Sequence, residues 1–209
     1  MINNNQEQSR PDFNELLDDF YHPNPNIHQD SSLKMADYWP AESMKILISN
    51  LDHVDIEIRR RSVKALGYFG PKVLENIAKV FTNSDSRTLR TSCLKVFVCI
   101  ASRNKPCLFP NEILAVIEEA YLDETPEIIL TVITLLRQLG EQGFPMLVSA
   151  VKDNNVLKST AAIMAIGEIN EPSVEKCLRE IIDDKSKDEI VRNAAKDALS
   201  VNLDSRSNE

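Results

Sequence analysis

Apolar residues recur along this chain in paired stripes with helical spacing, each pair divided by a short polar turn. The clearest unit runs from Ser43 to Gly70. Met44, Leu47, Ile48 and Leu51 give one stripe at the spacing of a single helix face. Asp52-His53-Val54-Asp55 follows as a turn, with Asp55 placed to accept backbone N–H bonds at the start of the next helix. Ile58, Ser62, Ala65, Leu66 and Phe69 form the second stripe, and Gly70-Pro71 ends it: glycine permits a left-handed cap and proline forbids continuation.

The unit is written again downstream. Leu74, Ile77, Ala78 and Phe81 lead to Asp85, then to Leu89-Arg90 and to Cys93, Leu94, Phe97 and Ile100. Arg59 and Arg90 lie 31 residues apart, a spacing that fits helical-hairpin repeats. Further units turn at Asp123-Glu124-Thr125-Pro126, Asp153-Asn154-Asn155 and Asp188, with helices closing at Leu139-Gly140 and Ala165-Ile166-Gly167. A degenerate first unit holds Leu16, Leu17 and Phe20, the turn through His22-Pro23-Asn24-Pro25-Asn26, and a helix reaching Trp39-Pro40. A hairpin of about 30 residues is too small to bury its own stripe, so the units must stack. The pattern therefore predicts an all-α, right-handed α-solenoid of about six helical hairpins over residues 12–203, with disordered ends at 1–11 and 204–209. Ser102 to Pro110, with Pro106 and Pro110, is expected to be a loop or local bend.

Charge changes this picture most. The chain carries 24 Lys+Arg against 32 Asp+Glu, net −8, yet residues 56–105 hold eleven Lys/Arg and three acids. That segment is net +8, leaving −16 for the rest. Arg59, Arg90 and Arg192 are expected to bond the turn aspartates; the remaining cations make either a basic patch for an acidic partner or a ligand's carboxylates, or a merely solvated face. Aromatics are not interleaved with these charges, and the acidic whole repels phosphate, which disfavours nucleic acid as a partner.

Other chemistry is sparse. Cys93, Cys99, Cys107 and Cys177 make no C-x-x-C pair and read as small buried residues or single free thiols. His22, His28 and His53 are the only histidines, and no zinc-binding, phosphate-binding or nucleophile motif occurs, so no metal, cofactor or catalytic residue is assigned. Tyr38 and Trp39 are expected to close the first apolar stripe. No apolar run is long enough to span a bilayer, and Met1 to Arg10 lacks the apolar core of a secretory signal, so a cytoplasmic or plastid-stromal protein is expected.

The string Asp55, Ile58-Arg59, Ala65-Leu66-Gly67 resembles the HEAT-repeat signature. Asp188, Val191-Arg192 and Ala198-Leu199 match it again, and Ala165-Ile166-Gly167 matches its end. The short unit ending in Ala-Leu-Gly is similar to the phycobilisome-lyase-like subgroup, from cyanobacteria and plastids. The resemblance implies that the second helix of each pair lines a concave face. Arg60, Arg61, Lys64 and Tyr68, with Thr91, Ser92, Lys95 and Cys99 one repeat later, would then face the groove. It also implies a non-enzymatic scaffold whose partner is a phycobiliprotein or an iron–sulfur assembly factor. The alternative is a phycobilin lyase subunit that acts with a second HEAT subunit on phycobiliprotein cysteines and handles a bilin.

Overall fold

Polar side chains start these helices as the turns predict. Asp12, Asn24, Asp55, Ser86 and Asn155 each accept a backbone N–H from the first turn they precede, satisfying donors that have no partner within the helix. The computed structural model describes residues 10–105, 108–169 and 171–207. Among them are twelve α-helices and no strand: α1 (Phe13–Tyr21), α2 (Pro25–Tyr38), α3 (Pro40–Ser49), α4 (Ile56–Leu66), α5 (Leu74–Thr82), α6 (Arg87–Arg103), α7 (Asn111–Tyr121), α8 (Pro126–Gln138), α9 (Phe144–Val151), α10 (Val156–Gly167), α11 (Pro172–Asp183) and α12 (Glu189–Ser207). They pair in order as six hairpins.

The even-numbered helices pack in sequence, α2 on α4, α4 on α6, and so on to α12. Among the odd-numbered helices only α5 and α7 touch comparably. Close packing on one side and looser packing on the other curves the stack, with the even-numbered helices on its inner side. Between the layers one core runs the length of the molecule, from Leu16 and Phe20 through Phe81, Phe97 and Ile117 to Val191 and Leu199. The chain is thus a solenoid of six hairpins.

Several local expectations are revised. Residues 1–9 lie outside the described residues, but the adjoining Arg10 and Pro11 are packed. The Arg10 guanidinium lies 3.3 Å from the Trp39 ring centroid, and the Trp39 indole N–H donates to the Pro11 carbonyl at 2.9 Å. Trp39 also meets Phe13 at 5.6 Å, which closes the first stripe. At the other end α12 runs four residues past the expected boundary at 203, to Ser207; residues 208 and 209 lie outside the described set. The α-helical part of α4 ends at Leu66, before a 3-10 stretch to Val73 that bends at Gly70. Gly70 has φ 61° and ψ −149°, a region essentially closed to side chains. Gly167 is different: it is the last residue of α10, and a Cβ there would sit 2.8 Å from the Ala198 Cβ. Its smallness serves the contact between α10 and α12, not a positive φ.

Candidate functional site

Arginines hold the turns through carbonyls, where aspartates were expected. Arg59 donates to the His53 and Val54 carbonyls at 2.5 and 3.1 Å, and Arg192 to the Lys187 carbonyl at 3.2 Å. The turn aspartates are engaged with backbone N–H groups instead: Asp55 caps α4 and Asp188 accepts from Ile190. Arg90 meets the Glu119 carboxylate at 3.4 Å and lies 4.3 Å from the Phe81 ring centroid. The physical reason is that turn carbonyls, like the last carbonyls of a helix, lack intrahelical partners and carry partial negative charge, so cations seek them.

The same device links consecutive repeats. Arg61 of α4 reaches back to the Phe20 and His22 carbonyls at the end of α1, at 3.3 and 3.0 Å. Lys158 reaches the Tyr121 carbonyl at the end of α7, and Lys187 the Lys152 carbonyl just after α9. Arg61, expected to be unpaired in the groove, is therefore also a structural tie. Arg60 is not unpaired either, since it meets Glu57 at 2.8 Å in an exposed ion pair.

These ties leave a smaller set of cations, of which Lys64, Arg87 and Lys95 face one cavity while Lys72, Lys79 and Lys105 are exposed elsewhere. A space of about 1000 Å³ opens on the inner side of the solenoid between α2, α4, α6 and the start of α8. Arg60, Arg61, Lys64, Thr91, Ser92, Lys95 and Cys99 all line it, so seven of the eight residues expected to face the groove are brought together. Tyr68 is not on its wall; its ring carries the Arg103 guanidinium 3.9 Å from the centroid. Arg87 and His28 are lining residues that the repeat pattern did not single out. His28 was legible only as a turn-proximal histidine, because α2 belongs to the degenerate first unit.

Lys64, Arg87 and Lys95 make no ion pair or hydrogen bond among the described residues. Lys64 and Lys95 are exposed, and the acids on the wall are Glu57, held by Arg60, and Glu127. The positive field is felt by its neighbours. Burial, with Arg61 and Lys64 close by, lowers the His28 pKa below its ordinary 6.5. Burial raises the Cys99 thiol, and the nearby Arg103 and Lys64 oppose that rise only in part. Cys93 is pushed up to about 12 by burial and Cys177 is also raised, so the described thiols stay protonated at neutral pH. Cys107 lies outside the described residues. The described residues contain no group of three His, Cys, Asp or Glu suited to a metal ion, and no helix long and apolar enough to cross a membrane. What the cavity offers chemically is anion recognition over a partly apolar floor of Ile56, Val63 and Val98.

Residues 113–200, in the C-terminal part of the chain, match a family profile for HEAT repeats. The chain is 24% identical over 177 residues to "Bilin biosynthesis protein CpeZ" of Synechococcus sp. (strain WH8020), covering 82% of this chain and 95% of that protein. It is 28% identical over 182 residues to "Uncharacterized phycocyanin operon protein Z" of Pseudanabaena tenuis (strain PCC 7409), covering 86% and 89%. Among solved structures, a designed armadillo repeat protein, YIII(Dq)4CqI, overlaps 91% of this chain at TM-score 0.39 and 16% identity, too loosely to carry an argument.

Proposed function

We propose, from the premise that this chain is a HEAT-repeat protein similar to a bilin biosynthesis protein, that it is a non-enzymatic binding protein of phycobilin handling. Its inner groove receives an acidic surface of a phycobiliprotein subunit. The observation that supports this most is the cavity wall, where the side chains of Lys64, Arg87 and Lys95 stand without an ion pair or hydrogen bond among the described residues, in a chain of net charge −8. Cations left unpaired in a concave site are placed to meet anions from outside, and they favour encounter as well as affinity.

The test is a calorimetric titration of the full chain with a purified phycobiliprotein subunit at low and high salt. Saturable binding that weakens as salt rises supports the reading, because screening acts over about 8–10 Å near physiological ionic strength. Binding that ignores salt, or none at all, overturns it.

A second reading, that the chain is one subunit of a phycobilin lyase, draws on the name of the Synechococcus relative and on the size of the cavity, which falls in the range of small-molecule sites. Here the groove would hold the carboxylates of a bilin. Absorbance separates the two: a bilin seated against Lys64 and Lys95 changes its spectrum on mixing, whereas a groove reserved for protein leaves the pigment unperturbed.

A further inference from the structure

The cavity wall is the first part of a longer ladder. Glu57, Arg60, Arg61 and Lys64 occupy one face of α4, at i, i+3, i+4 and i+7, and all four line the cavity. Matching the helices by their pattern of buried neighbours puts Lys95 of α6, Thr134 of α8 and Met164 of α10 at the position of Lys64. Leu130 of α8 takes the position of Arg60, while Leu157 of α10 and Ile190 of α12 take that of Glu57. The even-numbered helices touch in order, so these positions follow one another along the same inner surface.

Along that surface the chemistry changes after Glu127 on α8 and again at Asp197 on α12. Over α4 and α6 the ladder is cationic. From Leu130 on α8 across α10 to Ala194 on α12 it carries no charge until Asp197. Four large apolar side chains stand exposed in this stretch: Leu130 (46%), Leu157 (38%), Met164 (64%) and Ile190 (62%). Single exposed apolar residues are ordinary, but four at ladder positions of three consecutive helices, with no charge at the ladder positions between them, favour a cover.

We infer that the groove takes one extended segment of a partner protein, acidic where it crosses α4 and α6 and apolar where it crosses α8, α10 and α12. This rests on the reading of the cavity as an acidic-partner site and adds the form of the partner. Charge complementarity fixes one end of the segment, and continuity of the ladder fixes the other. At about 8–10 Å between packed helices, α4 to α12 spans about 32–40 Å. That is roughly ten to twelve residues of extended chain at about 3.3 Å each.

The probes are two fluorescently labelled synthetic peptides, followed by anisotropy with the full chain. One is a hexapeptide of Glu and Asp; the other joins the same hexad to six Leu and Val residues, made in both orders. The composite peptide, in one order, is expected to bind at least tenfold more tightly than the acidic hexapeptide. Leu130→Asp with Met164→Asp should abolish that difference and leave the hexapeptide's affinity unchanged. Met164→Gln, a milder variant at an exposed site, should reduce it in part. A composite no tighter than the hexapeptide, or an advantage that survives the aspartates, overturns the inference while the basic-groove reading stands. Failure of the hexapeptide itself to bind removes both. If the aspartate variant instead converts a dimer of this chain to monomer in sedimentation, a second copy covers the face and the inference is wrong.

Discussion

Gly70 and His28 show how single residues constrain this molecule. With φ 61° and ψ −149°, Gly70 holds a backbone conformation that a side chain strains, although the nearest atom to an added Cβ, an Asn104 oxygen, is at an ordinary 3.5 Å. Gly70→Val is therefore expected to lower unfolding free energy by about 1–3 kcal/mol through the backbone alone, read from urea denaturation. His28 supplies a reporter inside the groove. Its pKa lies below 6.5, so the folded chain prefers the neutral ring and the unfolded chain binds more protons as pH falls. Stability should drop as pH falls through 6.5 and level off below the folded value, and His28→Gln should flatten that slope. Carboxylates bound beside Lys64 and Arg61 would cancel part of the positive field. An NMR titration should then show the His28 pKa rising when the acidic hexapeptide is present, and an unmoved resonance would place the anion elsewhere.

At the scale of elements, the helices depend on ties that reach across repeats. Arg61 connects α4 to the last carbonyls of α1, and no other cation among the described residues makes that bond. Arg61→Ala is expected to cost about 1–2 kcal/mol. The loss should appear as faster hydrogen exchange in α1 and α2, with α8 to α12 unchanged, since repeats contact mainly their neighbours. Uniform acceleration along the chain would show instead that the solenoid opens as one unit. The helices themselves were legible because the stripe, the turn aspartate and the closing Ala-Leu-Gly or Ala-Ile-Gly all point the same way. Arg60 and Arg61 line the cavity, but the tie made by Arg61 was not legible because the sequence does not show where the carbonyls of α1 will lie, 39 to 41 residues away. Nor does it show that Glu57, one turn back, is free to claim Arg60. Tyr68 fell outside the cavity because α4 gives way to 3-10 geometry after Leu66, which takes residue 68 off the helical register. His28 and Arg87 went unassigned because their place depends on how hairpins one and three meet hairpin two.

For the whole molecule, the segregation of charge organises function. A stretch of net +8 in a chain of net −8 would repel itself if all its cations were left facing one another. Carbonyls, Glu57, Glu119 and the rings of Phe81 and Tyr68 absorb Arg59, Arg60, Arg61, Arg90 and Arg103. Of the six cations that remain, Lys64, Arg87 and Lys95 form a short row on one inner wall, continued by apolar side chains over the C-terminal hairpins, and Lys72, Lys79 and Lys105 are exposed elsewhere. The most direct measurement of this account is the affinity of Lys64→Glu with Lys95→Glu for a phycobiliprotein subunit, compared with the unaltered chain at matched salt. Both lysines are exposed and without ion-pair partners among the described residues, so the melting temperature should barely move. Affinity should fall at least tenfold, and its dependence on salt should flatten. An unchanged affinity in the folded double variant would contradict the account: the row of cations would then be a solvated face, and the partner would dock elsewhere.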